Sequence, residues 1–173
     1  GAGVSSEIKS ACVLAGLNSY GNTTILEKER SRDHTENMLL NSPGIIKIKK
    51  NKENNRVIKI AGKNYLEAMN ITVPGDSSSA AFFVALTLLN NNSSLKITNV
   101  GLNPTRIGFF EIIKKAGAKI KFQNIKKKNN EFFGDIYVKS SKLKPLKVPK
   151  KLYVKCVDEF PIMFCVASMI PGV

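Results

Sequence analysis

Val4-Ser5-Ser6-Glu7-Ile8-Lys9-Ser10-Ala11-Cys12-Val13-Leu14-Ala15-Gly16-Leu17 is the stretch from which the fold can be read. Serines at positions 5 and 6 suit the start of a helix, because a serine hydroxyl accepts a hydrogen bond from a backbone N–H that the first turn leaves unpaired. Ile8, Ala11, Cys12, Leu14 and Ala15 follow at helical spacing, which predicts a helix over 6–17. A capped helix N-terminus is also a place for an anion, since unpaired N–H groups and the positive end of the helix dipole both face it.

The arrangement returns twice. Pro74-Gly75-Asp76-Ser77-Ser78-Ser79 opens the apolar run 80–89, and Asp158-Glu159-Phe160-Pro161 opens 162–169. Each run meets a turn (Tyr20-Gly21-Asn22, Asn90-Asn91-Asn92, Pro171-Gly172), and the first two turns lead into strand-like segments over 23–27 and 94–98. Ser31-Arg32-Asp33-His34 then introduces one helix and Thr105-Arg106-Ile107-Gly108 another, with Arg32 and Arg106 standing 74 residues apart. That period exceeds the usual solenoid repeat, so the pattern is read as a repeated α/β unit.

Taken in order, the first unit predicts a helix over 6–17, a strand over 23–27, a helix over 34–40 and a hairpin pairing 45–50 with 56–61. Residues 71–75 form a short extended segment ending in Pro-Gly, which places a boundary between domains 1–73 and 74–173. The second unit predicts a helix over 78–89, a strand over 95–100, a helix over 106–116, and strands near 119–123 and 135–139 with Asn129-Asn130 at the hairpin tip. Residues 146–154 read as extended, and a third helix starts at Asp158. An opening on a helix cap without methionine and an end where a strand is due predict a piece of a longer protein.

A chain of 173 residues with 43% hydrophobic content can bury a core, and no apolar run reaches the roughly 18 residues of a membrane span. Solubility and a cytoplasmic location are therefore expected, with no membrane partner. Cys12, Cys156 and Cys165 lack metal-ligand spacing and read as buried free thiols. The net charge of +14 fits nucleic-acid binding, attraction of phosphorylated metabolites, or a solvated surface. Its densest runs, 47–52, 126–128 and 142–155, fall in turn-like or strand-end segments without stacking aromatics, which favours the solvated surface over nucleic acid.

Six signatures in order carry a resemblance: Ser5-Ser6-Glu7-Ile8-Lys9-Ser10 with Leu14-Ala15-Gly16-Leu17, Ser31-Arg32-Asp33-His34-Thr35-Glu36, Pro74-Gly75-Asp76-Ser77-Ser78, Asn103-Pro104-Thr105-Arg106, Gly117-Ala118 and Asp158-Glu159-Phe160-Pro161. Together, end to end, they resemble the EPSP synthase family, the 3-phosphoshikimate 1-carboxyvinyltransferases. The resemblance implies an α/β fold of the α+β prism type, made of repeated βαβαββ units whose parallel helices aim their N-termini at an interdomain cleft. Residues 1–73 would end one prism domain and 74–173 begin the other. It implies transfer of the enolpyruvyl group of phosphoenolpyruvate to the 5-hydroxyl of shikimate 3-phosphate, with release of phosphate, in aromatic amino-acid biosynthesis. No metal or organic cofactor is implied, and the intact protein is expected to be a monomer.

Carried over by position, Ser5 and Ser6 match the pair that holds the shikimate phosphate, Arg32 matches an arginine near the same substrate, and Asp158 matches the aspartate that meets the reacting hydroxyl and can accept its proton. Plainer roles stand beside these: Ser5 and Asp158 as helix caps, Arg32 as a surface charge. Asp76 and 103–106 read as cap and turn residues, and His34 as a helix-start residue. Glu7 stands where the family has a glutamine facing both substrates. A carboxylate there repels phosphates unless it is protonated or paired, with Lys9 or a group outside the chain as the expected partner. The family's other Lys, Arg and Glu motifs lie outside these residues, so the chain alone is expected to be inactive. Two competing readings remain, a binding protein that has lost turnover and a basic nucleic-acid module; steep salt dependence of binding marks the latter.

Overall fold

The computed structural model describes residues 5–171, and the chain divides into two compact units, 1–72 and 73–173. Val4 and Gly172, which belong to the opening stretch and the last expected turn, lie outside the described residues.

The first unit runs α1 (Ser6–Asn18), β1 (Asn22–Glu27), α2 (His34–Leu39), β2 (Ile46–Lys50) and β3 (Arg56–Ala61). Its antiparallel sheet has the order β1-β3-β2, with Ile25 opposite Ile58 and Lys50 opposite Arg56. The β2–β3 turn holds because the Asn51 side-chain oxygen accepts the N–H groups of Glu53 and Asn55 at 3.0 and 2.9 Å while Asn54 takes φ 63°. Val13, Leu39, Ile45, Ile46, Ile58 and Ile60 make the core of this unit.

The second unit repeats the order: α3 (Ser77–Leu89), β4 (Ser94–Gly101), α4 (Gly108–Lys115), β5 (Lys119–Lys128) and β6 (Glu131–Lys139), with sheet order β4-β6-β5. α2 and α4 begin 74 residues apart, at His34 and Gly108. Ahead of α3 the chain touches β4 in parallel: Gly75 N–H donates to Asn99 O at 2.7 Å and Gly75 O accepts from Gly101 N–H at 2.8 Å. That bridge is the first strand of a βαβαββ unit reduced to one residue. Asn129 and Asn130, at φ 50° and 63°, make the two-residue turn of the β5–β6 hairpin. α5 (Lys150–Tyr153), a 3₁₀ turn (Val157–Glu159) and α6 (Phe160–Ser168) follow, and the core gathers Phe109, Phe110 and Ile113 of α4, Val84 of α3, Ile136 of β6 and Val166 of α6.

Four expectations are corrected. The face that α1 buries is Lys9, Val13 and Gly16, whereas Ile8, Ala11, Cys12, Leu14 and Ala15 are exposed. One helix cannot turn both stripes to the sheet, and the stripe with the small Gly16 and the paired Lys9 is the one that packs. Cys12 and Cys165 are accordingly exposed thiols, and only Cys156 is buried. Residues 150–153 are a helical turn, because Pro149 presets φ at −62° and one turn seats Leu152 in the core at 3% exposure while the lysines stay outside. Finally, the N-cap position of α6 is held by Glu159, without a side-chain cap bond, and Asp158 lies one residue ahead of it in the 3₁₀ turn.

Candidate active site

In the first unit the start of α1 gathers four of the expected residues. Ser5 is the N-cap, extended at φ −94° and ψ 120°, and its Oγ accepts from Ile8 N–H at 3.4 Å. The hydroxyls of Ser5 and Ser6 donate to the two carboxylate oxygens of Glu7 at 2.8 and 2.9 Å, and Arg32 Nη1 lies 3.8 Å from Glu7 Oε1. The Ser5 hydrogen bond above all, then a backbone N–H, Ser6 and the Arg32 charge, hold the Glu7 carboxyl well below the usual range, at about 2. Glu7 is therefore an ionised, paired carboxylate. Its cation is Arg32, and the expected pairing with Lys9 is absent.

Lys9 is buried and belongs to a different cluster. Its Nζ donates to Glu27 Oε1 at 2.8 Å and lies 2.8 Å from Glu36 Oε1, the latter an ion pair without hydrogen-bond alignment. Glu27 ends β1 and ties the following loop to the sheet: Oε1 also accepts from Ser31 N–H at 3.0 Å and Ser31 Oγ at 2.8 Å, and Oε2 accepts from Arg56 Nη1 at 2.7 Å. Burial pushes the Glu27 carboxyl up, but the Lys9 and Ser31 donors outweigh it and the result is a lowered pKa. Asp33 joins through Arg30 at 2.5 Å and Asn37 at 3.3 Å. These charges fix the loop 28–33 that carries Arg32 to the start of α1. Sequence reasoning missed them; the signal was a lysine one turn ahead of Val13 on the packed stripe, with acids only at long sequence distance.

Asp158 belongs to the second unit, where it is exposed on the 3₁₀ turn. Asp76 is the cap expected of it: its Oδ2 accepts from Ser79 N–H at 2.7 Å, and Arg106 Nη2 donates to its Oδ1 at 3.0 Å. Asn103 is a turn residue, its Oδ1 accepting from Thr105 N–H at 2.8 Å and Thr105 Oγ1 at 2.7 Å. Among the described residues, no group of three or more His, Cys, Asp or Glu side chains could hold a metal ion. No helix described is long and apolar enough to cross a membrane.

Fold and site define an α/β protein of repeated α-β-α-β-β units that gathers two hydroxyls and a guanidinium at the start of its first helix. The chain belongs to the EPSP synthase (3-phosphoshikimate 1-carboxyvinyltransferase) family, whose model matches residues 1–173. Its relatives include the 3-phosphoshikimate 1-carboxyvinyltransferases of Zymomonas mobilis, 41% identical over 168 residues, and Thermodesulfovibrio yellowstonii, 43% identical over 170 residues. Each alignment covers 97% of this chain but 37% and 38% of the respective relatives, so the chain spans less than two fifths of their length. The solved EPSP synthase from Acinetobacter baumannii superimposes with a TM-score of 0.82 at 37% identity, over 97% of this chain and 37% of that one.

Proposed function

We propose that the protein to which these residues belong transfers the enolpyruvyl group of phosphoenolpyruvate to the 5-hydroxyl of shikimate 3-phosphate. The observation that carries this reading is the family match along the entire chain, to relatives of that name. In the reaction the 5-hydroxyl oxygen bonds to C2 of phosphoenolpyruvate while C3 takes up a proton. The tetrahedral adduct then loses phosphate and a C3 proton to restore the double bond. Ser5, Ser6 and Arg32 hold the shikimate phosphate, an anion matched by hydroxyl donors, a guanidinium and the N–H groups at the start of α1.

Asp158 accepts the proton of the 5-hydroxyl. Its exposed place on the 3₁₀ turn, open to a ligand, supports this role. Glu7 lies among the phosphate ligands as an ionised carboxylate paired with Arg32, so substrate phosphate competes with it for the same groups. The first 72 residues would close one prism domain and the rest open the second, in a soluble, cytoplasmic monomer.

Asp158→Asn in the full-length protein tests the mechanism. The variant keeps the size of the side chain and loses the base, so kcat falls by about 10²- to 10⁴-fold with the melting temperature near that of the parent. Normal turnover by Asp158→Asn would remove Asp158 from the chemistry.

A further inference from the structure

Beside the proposed base, three side chains with no part in the reaction are joined in a line. Arg106 Nη2 donates to Ser78 Oγ at 2.6 Å, and Ser78 Oγ in turn donates to Glu159 Oε1. The same guanidinium nitrogen reaches Asp76 Oδ1 at 3.0 Å, which ties the line to the cap of α3. Glu159 is only 2% exposed, and a buried carboxylate is tolerated where donors and positive charge reach it. A serine that accepts from a guanidinium and donates to a carboxylate is polarised in one direction, which strengthens both bonds.

Glu159 is the residue after Asp158 and closes the same 3₁₀ turn. The other end of the turn is anchored separately. Gly108 N–H donates to Lys155 O at 3.3 Å, and a Cβ at position 108 would lie 2.8 Å from Lys155 Cβ, so only glycine lets α4 come this near. Cys156 is fully buried, its thiol donating to Leu152 O at 3.1 Å. The exposed Asp158 is thus bracketed by fixed residues on both sides.

We propose that Ser78, Arg106 and Glu159 form a latch between the start of α3 and the 3₁₀ turn, with Glu159 as the positioning residue that sets the reach and direction of Asp158. The inference rests on the reading of Asp158 as the proton acceptor. A displacement of about 1 Å at a reacting group costs up to about 10²-fold in rate, so a part touching no substrate shows in kcat.

The test is a double-mutant cycle in the full-length protein. Ser78→Ala breaks the line while the Asp76 cap remains, and kcat falls about 10- to 100-fold with KM for both substrates nearly unchanged. Ser78→Thr, which keeps the hydroxyl, restores kcat. In the Asp158→Asn background Ser78→Ala costs nothing further, because the latch acts through Asp158. Unchanged kcat in Ser78→Ala, a change in KM alone, or the same loss in both backgrounds would overturn the latch. Failure of the underlying reading looks different: Asp158→Asn alone would then turn over normally. Should Ser78→Ala melt early, Glu159→Gln keeps shape and an acceptor oxygen, and its loss of kcat must likewise vanish in the Asp158→Asn background for the latch to stand.

Discussion

The carboxylate of Glu7 draws to itself the Ser5 and Ser6 hydroxyls and the Arg32 guanidinium, which are the groups an incoming phosphate would use. Glu7→Gln frees the guanidinium and removes a like charge, so affinity for shikimate 3-phosphate should rise. Because the side chain is 74% exposed, solvent screens most of the Coulomb term, and a gain of roughly two- to fivefold is expected from calorimetric titration of the full-length protein. Equal or weaker binding would show that the carboxylate turns away when substrate arrives. Protonation can relieve the same competition only near the lowered pKa of about 2. Between pH 5 and 8 Glu7 stays ionised and contributes no step to the pH dependence of phosphate binding. The sequence allowed the pairing of this residue but not its partner, since Arg32 is brought near by a loop that Lys9, Glu27 and Arg56 hold from three separate elements.

At the scale of elements, Asp135 on the central strand β6 controls both of its neighbours. Its Oδ1 accepts from Asn99 N–H at 3.2 Å, and its Oδ2 from Asn124 Nδ2 at 2.8 Å and Lys96 Nζ at 3.0 Å. Asn99 and Asn124 sit at φ 55° and 50° in the two register shifts, between Ile97 and Val100 on β4 and between Gln123 and Lys126 on β5. The Asn124 bond, then Lys96 and Asn99, lower the Asp135 carboxyl from 3.8 to about 2. A lowered carboxylate pKa stabilises the fold above the unfolded value and ceases to do so as pH falls through the folded one. Asp135→Asn should therefore melt earlier than the parent at pH 7, with the gap closing between about pH 4 and pH 2; a gap independent of pH would point to packing instead. The starts of α1 and α3 and the tip of the β5–β6 hairpin were legible because Ser5, Asp76 and the Asn129-Asn130 pair act within a few residues of themselves. The bulges were not, as Asp135 reaches 36 positions back to Asn99, and so the strands expected at 119–123 and 135–139 run on to Lys128 and from Glu131.

For the whole molecule, the composition foretold that the chain could bury a core but not how much apolar surface would stay outside it. Leu14 on α1, Phe82, Phe83 and Leu86 on α3, and Phe164 and Met169 near the end of the chain are each more than half exposed. Helices apolar all round give no periodic signal of which side is covered, so sequence alone could not rank their faces. Exposed apolar side chains in such number bind hydrophobic dyes and promote association. The isolated 173-residue chain is expected to bind such a dye and to show no enolpyruvyl transfer, since it spans under two fifths of its relatives' length. Turnover above background, abolished by Asp158→Ala, would refute the second expectation.

In both sheets the strand in the middle is the last one in the chain: β3 lies between β1 and β2, and β6 between β4 and β5. During synthesis the first two strands of each unit leave the ribosome before the strand that pairs with both, β4 having only its touch on Gly75, and each sheet closes when its final strand emerges. Residues 56–61 allow the first sheet to close while the second is still being translated; at about 5–20 residues per second the second follows several seconds later. A translational pause before β3 or β6 prolongs the exposure of two unpaired strands, whereas the same pause just after either strand leaves a finished sheet.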